Sequence, residues 1–485
     1  MRRTLACAPR AAWICALVAL LNAVAWSIIT PPFQGKDEAD HFAYVEQIVE
    51  NGTLPADGHE EGSYSPAEAL VLAGIHYYQV RFTPHAHTIA SDVEQRQLNA
   101  DDHAGASRLG TGEAGVATSQ PPLYYALQTI PYLLARGNIL VQLQLMRLVS
   151  ALLGALTVLL VFGFLREAVP RAPWAASVAA LCIALQPLLG FMSGSVNPDT
   201  LLITVSAAVF LCLARAFRRG LTRRRAATLG LLVLAGLLTK LNFVGLVPGV
   251  LLALILLGVR EARTHGRLAL RAPAITAALM IVPVGLYALR NALSGRAALG
   301  IVSHALHSIA AQPALDQLSY TWEMFLPRLP GMPHYFQGIS TFKDIWFDRS
   351  VGLYGWMDTT FPGWVDNVAL VLAGCTAVLC ARELVRRRET VRARRPELAT
   401  YAALLLGVLA MLGLASYHSD AIAHKDALGE PRYLLPLLPL LAAALALAVR
   451  GAGRRWTPVA GAALVVLFVG HDLFSQLQVI ARYYG

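Results

Sequence analysis

The sequence predicts an all-α polytopic membrane protein with about eleven transmembrane helices and interfacial helices in large outer loops. Three observations carry this reading. Hydrophobic residues make up 56% of the 485 positions and charged residues only 14%, far from the balance of an average soluble domain. Apolar runs recur that are long enough to cross about 30 Å of hydrocarbon. Arginine-rich turns separate every second pair of runs, as the positive-inside rule requires.

The first run, 11–30, follows Arg2 and Arg3 and reads as a retained first span, because the chain keeps re-entering the membrane after it. Further runs lie near 148–165, 174–192, 198–214, 226–239, 243–259 and 272–291, then 364–381, 398–416, 432–449 and 457–475. The chain divides into a first span (1–30), an outer loop (31–146), spans two to seven (147–291), a second outer loop (292–363) and spans eight to eleven (364–485). With the N-terminus cytoplasmic, stretches such as "RAFRRGLTRRR" and "ARELVRRRETVRARR" fall inside, and both large loops fall outside. This orientation also places "QPPLYYALQTIPYLLA" (120–135) on the outer surface as an interfacial helix, with Tyr124, Tyr125 and Tyr132 expected at headgroup level.

The formal charge of +10 does not point to nucleic acid, since the basic residues are scattered between apolar runs instead of sharing one solvated face. Cys7, Cys15, Cys182, Cys212, Cys375 and Cys380 lie in the N-terminal tail or in apolar runs, so neither a disulfide framework nor a thiolate zinc site is indicated. His85, His87, His103, Asp101 and Asp102 share the first outer loop, but their spacing matches no metal-ligand motif. Walker A, GxGxxG, GxSxG and HExxH motifs are absent.

The unusual polar residues gather on the outer side. Asp37, Glu38 and His41 follow the first span. Asn197 and Asp199 ("SVNPD") precede the fourth, and Lys240 and Asn242 ("TKLN") lie between the fifth and sixth. Arg290 ends the seventh, Trp356 and Asp358 ("GWMDTTFPGW") lead into the eighth, and Arg432 and Tyr433 ("EPRYLLP") open the tenth. Taken singly, each has an ordinary explanation. Asp37 suits a helix N-cap, Asn-Pro-Asp a turn, the cations snorkelling to headgroups, and Trp356 the aromatic belt. Taken together, carboxylates and cations near hydrocarbon are costly unless they pair or bind something charged. Asp37 and Glu38 point about 100° apart on a helix, so one of them reaches a given substrate atom, and His41 lies one turn beyond Asp37.

"PPFQGKDEADHF", "QPPLYY", "NPD", "GWMDTTFP" and "PRYLLPLLP", in this topology, resemble the C-type (GT-C) membrane glycosyltransferases. They resemble more closely a bacterial membrane family whose members open with PPFQ..DE..H. The resemblance implies a sugar donor carried on a polyprenyl phosphate, a glycan, lipid or protein acceptor, and a catalytic carboxylate just after the first span, either Asp37 or Glu38. It also implies activity on the outer face of a bacterial plasma membrane. For such a reaction His41 orients the base, and Lys240, Arg290 and Arg432 are candidates to hold phosphate. Tyr124, Tyr125 and Trp356 are candidates for stacking on sugar or isoprenoid, and Asp199 and Asp358 for holding a divalent metal. The cofactor stays unassigned. A single base without a second carboxylate placed as nucleophile implies inversion, by analogy with glycosidases. The competing readings are a transporter or lipid flippase, whose polar residues line a path near the midplane, and a non-catalytic partner in envelope assembly.

Overall fold

The computed structural model describes residues 9–55, 64–83, 86–88, 91–110, 113–170, 172–293, 308–338, 340–356, 358–424 and 427–485. Each apolar run is helical in it. Helix α1 (Arg10–Ile29) leads into a loop layer containing α2 (Glu38–Glu50), α3 (Pro66–Gly74), α4 (Tyr77–Val80), α5 (Asp92–Asp102) and α6 (Leu123–Leu134). The chain then re-enters the bundle through α7 (Ile139–Ala168), α8 (Pro173–Ala184), α9 (Pro187–Ser193), α10 (Asp199–Arg219), α11 (Arg223–Leu237), α12 (Val247–His265) and α13 (Arg271–Leu293). After the second loop come α14 (Ala314–Phe325), α15 (Arg349–Gly352), α16 (Gly363–Arg386), α17 (Arg388–Ala393), α18 (Arg395–Tyr417), α19 (Leu438–Gly451) and α20 (Thr457–Tyr484).

Among the described residues, nine helices are long and apolar enough to cross a membrane, and α8 with α9, bent by 57°, has the length and composition of a tenth if the pair is one broken span. The break falls where Pro187 has no N–H to continue the helix, and the Gln186 side chain caps the new start by accepting the Leu189 N–H. Helix α11, the remaining expected span, has 15 residues and so rises only about 22 Å. It nevertheless returns the full length of α10. Arg225 donates to the Gly220 carbonyl at one end, and Lys240 lies 2.7 Å from Asp199 at the other, with residues 238–240 completing the distance as a turn. Arg147, Asp199, Lys240, Arg432 and Arg482 therefore mark one end of the bundle, here the loop end. Glu167, Arg219, Arg260, Arg394 and Arg450 mark the other, the basic end.

The first loop layer owns a hydrophobic core separate from that of the bundle. Phe33, Phe42, Val45, Val71, Leu72, Tyr77 and Leu98 pack there with Ile139, Leu143 and Met146 from the start of α7. Loop and span are joined by caps: Asn138 accepts the Val141 N–H at 2.7 Å, and the Asp102 carboxylate accepts the Ile139 N–H at 2.7 Å. The expectation of headgroup-level tyrosines on α6 is overturned. Tyr124, Tyr125 and Tyr132 are fully buried, and Ile130, Leu133 and Leu134 form the exposed face. The cause is that each hydroxyl has a partner inside: Ser150 for Tyr124, His41 for Tyr125, and Glu46 and Glu50 for Tyr132.

The second loop ends in a two-residue hairpin, with Leu353 opposite Thr360 and Tyr354 opposite Thr359. Its turn begins at Gly355, whose φ of +63° suits glycine, and a Cβ there would lie 2.7 Å from the Tyr483 hydroxyl. This hairpin carries Trp356 against the first loop, where its indole N–H donates to Gln34 at 2.9 Å.

One ion pair ties loop to bundle. Arg147, in α7, donates Nε to Glu38 Oε1 at 2.8 Å and Nη2 to Glu38 Oε2 at 2.5 Å. Its remaining N–H groups reach the carbonyls of Ser27, Thr30 and Pro31 at 2.8 Å. All five guanidinium donors are thus engaged. Glu38 also accepts the Val196 N–H at 2.8 Å, so α1, α2, α7 and the start of α10 meet on one carboxylate. Arg147→Met leaves that carboxylate buried without its counter-ion, and the expected cost is about 3–5 kcal/mol. It is read as a lowered midpoint of thermal unfolding in detergent; an unchanged midpoint would show that the pair is dispensable.

Candidate functional site

The stretch "PPFQGKDEADHF" forms a tight turn before it becomes α2. Gln34 N–H donates to Pro31 and Glu38 N–H to Gly35, and Gly35 is required by close approach, since a Cβ would lie 2.7 Å from the Ser195 Cβ. Asp37 then adopts a left-handed conformation, φ +58°, and its side chain makes no capping bond to α2. The ordinary N-cap role is therefore not the one it plays. Its carboxylate turns away from the helix and accepts from Arg432 Nη2 at 3.0 Å.

Arg432 lies on a 3-10 helix, Pro431–Leu437, whose prolines withhold the N–H groups an α-helix would use. Its Nε is 2.5 Å from Glu430 and 3.8 Å from Asp199. Asp199 opens α10 and pairs with Lys240 at 2.7 Å, and Lys36 faces Glu430 at 3.6 Å. The Tyr433 ring lies below the cations, 5.5 Å from Lys240 Nζ and 5.3 Å from the Arg432 guanidinium carbon. Asn197 fixes the geometry from both sides: its Oδ1 accepts the Asp199 N–H at 2.9 Å, and its Nδ2 donates to the Lys36 carbonyl at 3.1 Å. Segments far apart in sequence thus converge on a charge-balanced cluster of Asp37, Asp199 and Glu430 with Lys36, Lys240 and Arg432.

The cluster is incompletely satisfied. Arg432 Nη1 and Asp199 Oδ2 are buried and have no hydrogen-bond partner, a costly state in a native interior unless something binds there. Beside Arg432 is a small cleft, about 30 Å³, lined by Lys36, Arg349, Glu430 and Arg432 together with Leu188, Phe191, Met192 and Leu353. The lining is part ionic and part apolar.

Electrostatics separates the neighbouring titratable groups. Burial pushes the Asp37 carboxyl up, but the nearby charges of Arg432 and Lys36 outweigh it and hold the group at about 2. Burial pushes His41 down to about 3, against the attraction of Asp37, so it is neutral at pH 7; its Nδ1 lies 3.0 Å from the Tyr125 hydroxyl. Burial raises Asp40 to about 6, although Tyr64 donates to it at 2.9 Å. It likewise raises Glu46 to about 7, and it raises Glu68, whose two oxygens lack partners, well above the usual carboxylate range.

The other sequence candidates have different surroundings. Glu38 is taken up by Arg147. Tyr124 lies in a buried network with Ser150 and Gln128, and Tyr125 stacks on Tyr44 at 3.7 Å. Trp356 is 2% exposed and is covered by the Arg81 guanidinium at 4.5 Å. Asp358 is held by Arg482 at 2.7 Å, and Arg482 also donates to the carbonyls of Val80, Thr83 and Ala86. Asn242 is half-buried on the 3-10 helix after Lys240, and Arg290 is exposed on the last turn of α13. For metal, no group of three or more His, Cys, Asp or Glu among the described residues is arranged to hold an ion. Asp102 and His103 make backbone contacts, and His85 lies outside the described residues. Glu430, of the "EPRYLLP" stretch, lies in the cluster, whereas Lys36, Arg147 and Arg349 are neighbours that sequence reasoning passed over. The visible signal for Arg147 was a single arginine within "LQLMRLVSALLG".

Residues 20–441 match the family described as "Predicted membrane protein (DUF2142)", and the chain belongs to that family. No curated protein matches the chain. Among solved structures it is similar to the archaeal oligosaccharyltransferase AglB from Archaeoglobus fulgidus in complex with an inhibitory peptide and a dolichol-phosphate. That likeness has 13% identity and a TM-score of 0.48, covering 98% of this chain and 56% of that one. It is also similar to the Archaeoglobus fulgidus oligosaccharyltransferase complex with Zn and sulfate, at 14% identity and a TM-score of 0.45, covering 97% of this chain and 53% of that one. The chain spans about half the length of these proteins.

The buried carboxyls of the loop layer make stability depend on pH in a defined direction. Glu68 keeps its proton when folded and releases it above about pH 4.5 when unfolded, so its burial costs more as pH rises from there. Glu68→Met removes that cost. The variant is expected to gain thermal stability over the parent at pH 8 and to lose most of that gain at pH 5; a difference independent of pH would show that Glu68 is not held protonated.

Proposed function

We propose that this DUF2142 membrane protein is a GT-C-type glycosyltransferase that moves a sugar from a polyprenyl-phosphate carrier to an acceptor at the loop end of the bundle. The observation that carries the reading is that buried Arg432 Nη1 and Asp199 Oδ2 both lack partners, and that Arg432 also lines a small cleft, about 30 Å³, together with Lys36 and apolar side chains. A lipid phosphate shares the chemistry of this lining, and the cleft, at about 30 Å³, has to widen to admit it. Its phosphate oxygens suit Arg432 Nη1 and the ammonium groups of Lys36 and Lys240, and its isoprenoid suits Leu188, Phe191 and Met192.

In the proposed step the acceptor oxygen attacks the anomeric carbon and the carbon–oxygen bond to phosphate breaks. The bonding pair leaves with the phosphate, and the acceptor proton passes to Asp37. Displacement from the face opposite the phosphate inverts the anomeric centre. Asp37 at about 2 is a weak base while Arg432 faces only it. Phosphate bound at Arg432 neutralises the charge that depresses Asp37, so donor binding raises the basicity of the group that must accept the proton. Glu38, fixed by Arg147, positions the turn that carries Asp37. The arginine-rich end faces the cytoplasm of a bacterial plasma membrane under the positive-inside rule, which puts transfer on the outer surface.

Transfer by purified protein in nanodiscs, with a panel of polyprenyl-phosphate sugars and membrane extract as acceptor, tests this. Asp37→Asn is expected to lower turnover by about 10²–10⁴-fold while the protein stays folded, and near-normal turnover would remove Asp37 as base. Arg432→Ala is expected to raise the KM for donor more than that for acceptor. Equal effects on both would assign Arg432 a structural role.

A further inference from the structure

The basic end of the bundle holds a second concavity, remote in the fold from the Asp37 cluster. A cavity of about 820 Å³ opens between α10, α12, α17 and the start of α18, within the size range of small-molecule sites. Its floor is apolar, built from Phe217, Leu256 and Leu257 of the spans. Its rim carries Arg218, Arg260, Arg263 and Arg394, against one acid, Glu397.

These arginines are not spare surface charges. Arg260 is anchored on the carbonyls of Phe217 and Ala216 at 2.8 and 3.1 Å. Arg218 is anchored on Glu167 O at 2.7 Å, and Arg394 on Ala168 O at 2.5 Å and Glu167 O at 3.0 Å. Backbone carbonyls fix their positions, and Arg218, Arg260 and Arg394 also lie 3.8, 3.2 and 3.1 Å from Glu167, Glu261 and Glu397, acids that are outnumbered by arginines here once Arg215, Arg219 and Arg263 are included. The acids nearby are already committed: Glu397 to Arg394 at 3.1 Å and the Tyr401 hydroxyl at 2.8 Å, Glu167 to Arg215 and Arg219 at 3.6 and 2.5 Å, and Glu261 to Arg260 and His265 at 3.2 and 3.3 Å. Arg263 is exposed and makes no hydrogen bond or ion pair among the described residues. The rim therefore carries net positive charge above an apolar floor, at the level where the spans end.

We infer that this cavity binds the headgroup of an anionic phospholipid, with its phosphodiester at the arginine rim and its glycerol and upper acyl chains on the Phe217, Leu256 and Leu257 floor. The volume exceeds what an inorganic phosphate fills, and the apolar floor has no use for a fully hydrated ion. Basic pockets between helices at this depth suit anionic lipid, with roughly a fivefold preference for each well-placed arginine. Occupancy would bridge α10, α12 and the α17–α18 turn, and so stabilise the folded bundle by mass action.

Native mass spectrometry of the full chain in detergent, with phosphatidylglycerol or phosphatidylcholine of matched acyl chains, tests the assignment. The parent protein is expected to retain phosphatidylglycerol selectively. Arg263→Glu, which breaks no internal contact, and Ala393→Trp, which fills the cavity, are each expected to lower retention by about tenfold or more. Glycerol 3-phosphate at millimolar concentration is expected not to displace the lipid. Equal retention of both lipids, full retention by both variants, or displacement by glycerol 3-phosphate, which would identify a soluble phosphate ligand, overturns the inference.

Discussion

The pairing of Glu38 with Arg147 is the contact on which the arrangement of the loop end depends. It is buried on both sides, 0% and 2% exposed at the side chains, and it gathers the end of α1, the start of α2, the first turns of α7 and the Val196 amide on one carboxylate. A buried ion pair of this kind adds little net stability over a well-packed apolar substitute. What it fixes is register. With Glu38 locked to the bundle, the preceding residue has one direction left, and its left-handed backbone sends the Asp37 carboxylate out of the helix toward Arg432. Two adjacent acids thus acquire different surroundings, one as a structural anchor and one as a partner of Arg432 in the charged cluster.

The cluster around Arg432 shows how a membrane protein keeps several charges at the edge of hydrocarbon. Each ion has a counter-ion from a different segment: Asp37 from the first loop, Asp199 from α10, Lys240 after α11, and Glu430 beside Arg432 itself. Balance lowers the cost of desolvation. Balance without full hydrogen bonding leaves Arg432 Nη1 and Asp199 Oδ2 open, so an incoming phosphate trades partners within the cluster and need not uncover a bare charge. The low value of Asp37 belongs to this resting arrangement. A site whose base is restrained by the same arginine that receives the donor would couple occupancy to reactivity, as proposed here.

Arginine serves differently at the two ends. At the loop end Arg147 and Arg482 each spread a guanidinium over several backbone carbonyls and one carboxylate, closing irregular segments that have no regular hydrogen bonding of their own. At the basic end Arg218, Arg260 and Arg394 terminate helices by taking up their last carbonyls. In both places the planar fork of donors, which lysine lacks, matches the geometry of converging C=O groups.

Much of this organisation was legible in the residues. The apolar runs, the arginine-rich turns between them and the confinement of unusual polar residues to one side follow from hydropathy and charge, because a bilayer imposes both on the local sequence. Asp37, Asp199, Lys240 and Arg432 could be picked out as polar residues at span boundaries. Their pairing could not, since each partner comes from a segment that only packing brings near. For the same reason the sequence favoured Asp37 as base with Glu38 still open as the alternative, put the α6 tyrosines at headgroup level, and offered Trp356 and Asp358 as ligand contacts. The folded chain uses Trp356 against Gln34 and Arg81, and Asp358 against Arg482. By itself the sequence determined which segments form the long apolar helices and that the unusual polar residues lie at their boundaries. Tertiary structure decided which carboxylate is spent on holding the fold and which is left to pair with Arg432, because that choice turns on a single arginine more than a hundred residues away in the chain.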